Sequence, residues 1–216
     1  MTTRVALLVG GPENMIPDFM QLENQETKWI GVDRGALRLI EKGIVPRMAV
    51  GDFDSISTAD LAVLKERIAD VRISPAEKDE TDTEMAVALA LNELKADEVV
   101  IYGGTAGRLD HFLANLWMVL QPRFIKHAAK IKMVDCQNSL SFYLPGSYEL
   151  IKEADKRYLA FVCLTPVTKL SLVDQKYRLD EADFLYPTSL ASNEFIGETG
   201  HFSFTSGVIA VIQSTD

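Results

Sequence analysis

The sequence predicts an α/β fold in which a parallel, doubly wound sheet domain is followed by a small all-β domain. Two observations indicate this. Short β-rich runs alternate with helical patterns as far as Val134, and from Asn138 onward only β-type runs remain. With 216 residues, of which 47% are hydrophobic, the chain is long enough to bury a substantial core.

The strands of the first domain are predicted from short apolar runs, several of which are apolar on both faces, as in a buried parallel sheet. The predicted strands are 5–9, 29–32, 48–50, 71–74, 99–102 and 131–134. The helical patterns between them supply the crossovers that a Rossmann-like sheet needs. The predicted helices are about 35–42, 59–69, 83–95 and 109–120.

Capping patterns support these helices. Ser57 and Asp60 have the spacing of a helix start, Thr81 and Glu84 form a capping box, and Gly43 follows the end of its helix. Each of these signals satisfies backbone groups that a helix end leaves unpaired.

The second domain is predicted from β-type runs that are separated by Pro, Gly, Asn and Asp. We therefore place the α/β domain at 1–137 and the all-β domain at 138–216. The last run, 201–213, alternates, with Phe202 and Phe204 on one face and a Ser-Gly turn signal in its middle. This pattern predicts a hairpin.

The charge balance argues against a nucleic acid partner. Lys plus Arg number 22 against 31 Asp plus Glu, which gives a net charge of −9, and no local basic patch is visible. No stretch approaches the ~20 apolar residues of a membrane span, and the N-terminal run is too short for a signal peptide. We therefore expect a cytoplasmic protein, with Cys136 and Cys163 as reduced, buried thiols.

Acidic residues follow several predicted strands, at the edge where an open parallel sheet binds its ligands. Neighbouring carboxylates repel one another, and they coexist at neutral pH mainly when a divalent cation or a cationic ligand joins them. Oxygen ligands suit Mg²⁺, which binds through one or two carboxylates together with substrate phosphates. The acidic residues are Asp33, Asp52, Asp54, Asp79, Asp82 and Asp110.

The closest pair in this set lies in the segment VGDFDSIS, 50–57. Residues i and i+2 of a strand face the same side, so Asp52 and Asp54 are expected to point together while Phe53 turns to the core. The alternative is that these acidic residues are solvated loop residues or helix caps.

The segment GGTAGRLDH, 103–111, has the composition of a phosphate-binding turn. Its three glycines let the backbone approach a ligand, and the helix that follows offers free N–H groups. Gly104, Arg108 and His111 are therefore candidates for contact with a phosphate group, although the glycines of a tight turn can also serve packing alone. Arg108, His111 and Asn115 are expected on the polar stripe of the helix. The expected buried stripe is Leu109, Phe112, Leu113, Leu116 and Leu120.

Four motifs resemble those of the thiamine pyrophosphokinases, also called thiamin diphosphokinases. They are GDFDSI, EKDETDTEMA, GGTAGRLDH and ASNEF, and the match extends from VDRGA at 32–36 to the final strands. The resemblance implies an N-terminal α/β catalytic domain, a C-terminal β-sandwich domain, and a homodimer with active sites at the subunit interface. It also implies that pyrophosphate is transferred from Mg²⁺-bound ATP to the hydroxyl of thiamine, with release of AMP.

The resemblance implies that three carboxylates bind Mg²⁺ and that three others belong to the active site. The Mg²⁺ ligands would be Asp52, Asp54 and Asp82, and the other acidic positions would be Asp33, Asp79 and Asp110. Phosphoryl transfer needs charge neutralisation and in-line positioning, which the metal and Arg108 are expected to supply. Asp33 or Asp110 is the candidate to orient the thiamine hydroxyl or to accept its proton.

The same resemblance implies contacts with both substrates. Thr81 and Arg108 fall where the family contacts the nucleotide phosphates. Asp79, Gly104 and His111 are the further candidates for contact with ATP. Ser192 and Asn193 match residues that contact thiamine, and in the implied dimer they would come from the partner subunit. Phe195 stands in for an aromatic residue that the family can stack on thiamine.

Two other functions stay open. A metal-dependent nucleotide-sugar transferase would use Asp52 and Asp54 but would leave Asp82 and the glycine-rich segment without a role. A non-catalytic nucleotide or thiamine sensor would keep the fold without turnover. A phosphatase with a D-x-D-x-T motif is disfavoured, because it would require threonine in place of Ile56.

Overall fold

The computed structural model describes residues 2–18, 27–75 and 77–216. The chain forms two compact units, of which the first comprises Met1–Met118 and Met133–Cys136, and the second Val119–Lys132 and Gln137–Asp216. The fold combines a large, mostly parallel sheet and its helices with a second, antiparallel sheet. None of the described helices is long and apolar enough to cross a membrane.

Six strands agree with the runs predicted from the sequence. They are β1 (Arg4–Leu8), β2 (Lys28–Val32), β3 (Met48–Gly51), β4 (Val71–Ile73), β5 (Glu98–Tyr102) and β6 (Ile131–Val134). Of these, β1 to β5 belong to the first unit, and β6 ends in it. The strand order is β6-β5-β1-β2-β3-β4, and β5, β1, β2, β3 and β4 pair in parallel. The central strands are buried on both faces, which explains why their sequences are continuously apolar.

Four described α-helices accompany these strands. They are α1 (Arg34–Glu41), α2 (Thr58–Arg67), α3 (Asp82–Asn92) and α4 (Leu109–Met118). The predicted helix start at Ser57 and the predicted capping box at Thr81 are confirmed, since Ser57 accepts a hydrogen bond from the Asp60 N–H at 3.1 Å and Thr81 accepts one from the Glu84 N–H at 3.2 Å. Gly43 follows α1 with a φ of +82°, a conformation that suits glycine.

Helix α4 buries only part of the stripe that its sequence predicted, since Phe112, Leu116 and Leu120 are half-buried and Leu109 and Leu113 are exposed. Leu109, Leu113 and Trp117, spaced four residues apart, are 76%, 37% and 53% exposed, whereas Asn115 is buried. The reason is that the side chain of Asn115 turns inward and donates to the carbonyl of Gly104 at 2.9 Å. Leu113 and Leu109, two and six positions before Asn115, lie on the other side of the helix, so the face that carries them points outward.

The second unit is antiparallel, and no described residue from 138 onward is helical, as predicted. Its strands are β7 (Asn138–Tyr143), β8 (Gly146–Ile151), β9 (Tyr158–Cys163), β10 (Val167–Leu172), β11 (Leu179–Phe184), β12 (Thr188–Glu194), β13 (Thr199–Phe204) and β14 (Ile209–Ser214). They form two antiparallel sets in the orders β12-β9-β14-β7 and β11-β10-β13-β8. One buried cluster that includes Phe161 and Phe202 forms the core of this unit.

The hairpin predicted over 201–213 is wrong, although its turn is present. Strand β13 pairs with β8 and β10, whereas β14 pairs with β7 and β9, so the two strands belong to different sets. At the turn, Gly207 has a φ of +96°, and a Cβ there would lie 2.3 Å from the carbonyl oxygen of Pro166. Phe202 and Phe204 do share a face, and their rings stack 6.2 Å apart.

The two cysteines are thiols that differ in exposure. Cys163 is buried, as predicted, and burial raises the pKa of its thiol to about 11, which makes it unreactive at neutral pH. Cys136 is exposed, contrary to the prediction, because it lies beyond the end of β6.

Candidate active site

A cleft of about 750 Å³ opens at the carboxyl end of the parallel strands of the first unit. It is lined by residues that follow β1, β2, β3 and β5, together with the start of α3 and part of α4. This is the edge at which an open parallel sheet binds its ligands. Both acidic and basic side chains line the cleft, which suits a charged ligand.

Three of the six acidic residues predicted at this edge come together; Asp33 and Asp82 line the cleft, whereas Asp52 is not part of its described lining. Asp33, Asp52 and Asp82 each place an oxygen within 4.8 Å of the other two. Asp33 has a left-handed φ of +48°, and its N–H donates to the carbonyl of Val50 at 2.9 Å. The lack of a side chain at Gly51 makes room for Asp33, because a Cβ there would lie 1.8 Å from Asp33 Oδ1.

The carboxylate of Asp33 resists ionisation. Burial, and after it the charges of Asp82 and Asp52, raise the pKa of Asp33 to about 6. The N–H of Phe53, which donates to Asp33 Oδ1 at 3.2 Å, and the nearby ammonium of Lys78 lower this pKa and so oppose the rise. A bound cation would relieve the same repulsion.

Lys78 also lines the cleft, although it was not predicted from the sequence. Its ammonium donates to the carboxylate of Asp82 and to the hydroxyl of Ser74, and that hydroxyl donates to Asp82 Oδ1 at 3.0 Å. The available signal was a single cation within the acidic segment EKDETD, 77–82.

Asp54 is not among the three close carboxylates. It is exposed and lines the cleft, and its N–H donates to Asp52 Oδ1 at 3.0 Å. Both residues lie beyond the end of β3, and Phe53 between them has a φ of +58°, so the alternation of a strand does not apply here. Phe53 is buried, as predicted. A metal-binding role for Asp54 stays a prediction.

Thr81 and Asp79 differ in their position relative to the cleft. Thr81 lines it, and its hydroxyl is already occupied as the cap of α3. The buried carboxylate of Glu84 accepts a hydrogen bond from the Thr81 N–H at 2.9 Å, which fixes the start of the helix. Asp79 is exposed and is absent from the described lining of the cleft, so its contact with the nucleotide stays a prediction.

The glycine-rich loop 103–108 lines the cleft through residues Gly103, Gly104, Ala106, Gly107 and Arg108. Gly103 and Gly107 have φ values of +77° and +92°, which favour glycine. Within the described parts of the chain, none of the N–H groups of 104–107 donates to a backbone carbonyl. Gly11 lies directly against this loop, because a Cβ there would lie 2.1 Å from the Gly103 carbonyl oxygen.

Arg108 and Asp110 form an exposed ion pair at the start of α4. The Nε of Arg108 donates to Asp110 Oδ1 at 3.1 Å, and a terminal nitrogen donates to Oδ2. These hydrogen bonds raise the pKa of Arg108 and lower that of Asp110. Arg108 and the exposed His111 line the cleft, whereas Asp110 is not part of its described lining.

Two arginines of α1, Arg34 and Arg38, also line the cleft and were not identified from the sequence. Arg38 donates to the carbonyl of Gly11 at 2.5 Å, and partial burial lowers the pKa of its guanidinium. The available signal was their four-residue spacing in a helix that begins where β2 ends.

The predicted thiamine residues lie in the second unit and have different environments. Asn193 is buried, its Oδ1 accepts from the Tyr177 N–H at 2.9 Å, and its Nδ2 donates to the Tyr177 carbonyl at 2.9 Å. Ser192 is exposed with a strained φ of +61° at a bulge in β12. Phe195 packs against the core cluster, whereas the ring of Tyr177 is exposed. Tyr177 could not be identified from the sequence, because strand β11 and the start of β12 separate it from ASNEF.

The chain is similar to proteins of one family along nearly its whole length. Residues 19–133 match "Thiamin pyrophosphokinase, catalytic domain", and residues 147–209 match "Thiamin pyrophosphokinase, vitamin B1 binding domain". A thiamine pyrophosphokinase of Bacillus subtilis is 37% identical over 214 residues, which cover 98% of this chain and 99% of the relative.

Solved structures of thiamin pyrophosphokinases are also similar to this chain over nearly its whole length. The crystal structure of a thiamin pyrophosphokinase family protein from Enterococcus faecalis superposes with a TM-score of 0.94 at 47% identity, covering 99% of each chain. That of thiamine pyrophosphokinase from Bacillus subtilis gives a TM-score of 0.87 at 36% identity, again covering 99% of each chain.

Proposed function

Because this chain belongs to the thiamin pyrophosphokinase family and transfers pyrophosphate from ATP to thiamine, we propose that the cleft of its first unit binds ATP together with Mg²⁺. The observation that carries this proposal is the convergence of Asp33, Asp52 and Asp82 beside a glycine-rich loop. Four cationic side chains line the same cleft, namely Arg34, Arg38, Lys78 and Arg108. Carboxylates next to cations fit a polyphosphate that carries a metal ion.

The carboxylates fit Mg²⁺ by their chemistry. Asp52 and Asp82 are favoured both by the resemblance and by the short separation of their oxygens, and Asp33 or Asp54 would complete the set. The raised pKa of Asp33 supports a cation site, since the repulsion behind it falls when a positive charge enters. When bound, the ion would neutralise charge on the phosphates of ATP.

The chain's own groups would bind and orient the triphosphate. The free N–H groups of the loop 104–107 and the guanidinium of Arg108 are donors suited to phosphate oxygens. In the transfer, the thiamine hydroxyl attacks the β-phosphorus and AMP leaves, so these donors would hold the phosphates in line with the hydroxyl.

One carboxylate would orient the thiamine hydroxyl or accept its proton. Asp33 suits this role better than Asp110, because Asp33 lines the cleft whereas Asp110 is exposed and hydrogen-bonded to Arg108. With Asp54 as the third metal ligand, Asp33 would be left for the hydroxyl.

We assign thiamine to the second unit, at Ser192 and at the loop that Asn193 holds. Tyr177 replaces Phe195 as the aromatic candidate, because its ring is exposed and its backbone is fixed by Asn193. An aromatic ring can stack on the flat rings of thiamine and attract its positive charge.

We also propose a homodimer with active sites at the subunit interface. The exposed stripe Leu109, Leu113 and Trp117 supports it, because monomeric proteins rarely leave such an apolar helix face in water. The finer fold description, a Rossmann-like domain at 1–137 and a β-sandwich domain at 138–216, stays a prediction, as does the cytoplasmic location.

The direct test is to mix the protein with MgCl₂, ATP and thiamine and to quantify the nucleotides and thiamine diphosphate. We expect AMP and thiamine diphosphate in equal amounts, and none of either when EDTA is present. A sugar transferase or a binding protein would release no AMP, and release of ADP would contradict pyrophosphate transfer.

A further inference from the structure

The side chain of Thr105 points away from the cleft, although its neighbours in the glycine-rich loop line it. Of residues 103–108, Thr105 alone is absent from the described lining. Its hydroxyl instead donates a hydrogen bond to Asp135 Oδ2. Asp135 is only 2% exposed, so this bond is made inside the first unit, away from water.

Asp135 follows directly on the end of β6, a position that the proposed reaction does not otherwise use. The next residue, Cys136, donates its N–H to the carbonyl of Met15 at 2.9 Å, in the segment that continues from the loop after β1. The two residues after β6 are therefore bonded to both loops that meet at Gly11 and Gly103.

A loop with three glycines needs such anchors to keep one conformation. Glycine loses more conformational freedom on ordering than any other residue, so a free loop would have to be ordered when its ligand binds. The loop is held at two successive residues, since Asn115 donates to the Gly104 carbonyl at 2.9 Å and Thr105 donates to Asp135. Both partners are buried, which makes these anchors rigid.

We propose that Asp135 is a positioning residue for the nucleotide, which acts through the hydroxyl of Thr105. By holding Thr105 inward, it keeps the loop 103–108 in the conformation that leaves the N–H groups of 104–107 free for phosphate oxygens. The ordering of the loop is then complete before ATP arrives, which strengthens binding. This inference rests on the proposed binding of ATP phosphates by this loop.

Thr105→Val tests the proposal, because valine has nearly the same shape and lacks the hydroxyl. ATP binding is measured by calorimetry with Mg²⁺ and without thiamine, and KM is measured for each substrate. We expect Thr105→Val to weaken ATP binding about tenfold, the typical effect of losing a hydrogen bond to a buried charge. The KM for thiamine is expected to stay unchanged, and Thr105→Ser, which keeps the hydroxyl, is expected to restore ATP affinity.

Two controls separate positioning from stability and from the proposed function. Gln213 of the second unit is a buried amide that bonds Glu153 and Ile151, so Gln213→Ala lowers the melting temperature and is expected to leave ATP affinity unchanged. Arg108→Ala, in the loop itself, is expected to weaken ATP binding.

Normal ATP affinity in Thr105→Val, with Arg108→Ala weakened, would overturn the role of Asp135 and leave the proposed function standing. Loss of ATP affinity in Gln213→Ala would show that ATP affinity falls with any loss of stability, and it would contradict a specific positioning role for Asp135. Normal affinity in Arg108→Ala and Thr105→Val alike would count against phosphate binding by the loop. If Thr105→Val does not fold, Asp135→Asn carries the same test, with a several-fold loss of ATP affinity expected because a charged acceptor becomes neutral.

Discussion

The side-chain amide of Asn193 binds both backbone groups of Tyr177, accepting from its N–H and donating to its carbonyl at 2.9 Å each. Asn193 would therefore act on thiamine through the loop that carries Tyr177. We expect Asn193→Ala to raise the KM for thiamine about tenfold, because a buried anchor of that loop is lost, and to change the KM for ATP little. Steady-state kinetics with each substrate varied in turn would measure this.

Two substitutions at Tyr177 test whether its ring contacts thiamine. Tyr177→Phe keeps the aromatic ring and should keep the KM for thiamine, whereas Tyr177→Ala should raise it as Asn193→Ala does. An ATP-selective defect in Asn193→Ala would contradict the assignment of thiamine to this loop.

Asp52 and Asp54 are close in sequence and differ in environment, which makes them a test of the metal site. Asp52→Asn is expected to lower kcat by about 100-fold or more, because it removes a ligand from the three close carboxylates. Asp54→Asn is expected to abolish turnover as well, as the resemblance implies. Near-normal activity of Asp54→Asn with an unchanged circular dichroism spectrum would leave Asp33 as the third ligand.

The raised pKa of Asp33 predicts a pH-dependent stability. Because its pKa rises from 3.8 to about 6 on folding, the neutral carboxyl is favoured in the folded state, and its stabilising effect is lost as the pH rises through about 6. Asp33→Asn should therefore raise the melting temperature at pH 7.5 in EDTA and leave it nearly unchanged at pH 4. Thermal unfolding at both pH values measures this, and a lower melting temperature of the variant at pH 7.5 would refute the repulsion.

The exposed stripe of α4 predicts that the protein dimerises through this helix. Leu109→Glu combined with Trp117→Glu should convert the dimer to a monomer in analytical ultracentrifugation, because charge replaces the apolar contact. Val63→Glu on α2, where valine is also exposed, is the control and should leave the dimer intact. A dimer that persists in the double variant would place the interface elsewhere.

His201 of the second unit should titrate above its usual pKa of 6.5, because its Nδ1 is hydrogen-bonded to Asp174 Oδ2 at 2.6 Å. The protonated form is thus favoured on folding, and this contribution to stability is present below pH 6.5 and lost as the pH rises through the higher, folded pKa. NMR of the ring protons measures the pKa, and Asp174→Asn should lower it, leaving only the smaller contribution of Glu149. An unchanged pKa in that variant would show that a group other than Asp174 raises the pKa of His201.

The sequence could predict the parts of the fold that depend on neighbours along the chain. The strands are continuous apolar runs and the starts of α2 and α3 are marked by Ser57 and Thr81, so periodicity and capping were sufficient. The predicted burial of one face of α4 and the predicted hairpin between β13 and β14 were wrong, because both depend on which surfaces pack together in the fold. An apolar stripe such as Leu109 and Leu113 does not show whether a protein core or another molecule covers it.

The candidate site also combines features that the sequence could predict with features that it could not. The carboxyl edge of the sheet predicted that six acidic residues come together, and Asp33, Asp52 and Asp82 do so, since strand order determines which loops are adjacent. The left-handed backbone at Phe53 separated Asp54 from them, and the pairing of Tyr177 with Asn193 joins distant segments. Neither follows from local pattern, because both arise from non-local packing.

Gly51 has no functional group, and yet a Cβ at this position would lie 1.8 Å from Asp33 Oδ1. Even alanine would displace that carboxylate while every acidic residue of the cleft stayed in the sequence. A homologue with intact acidic motifs and a larger residue here should therefore be suspected of being a pseudoenzyme, however complete its catalytic signature.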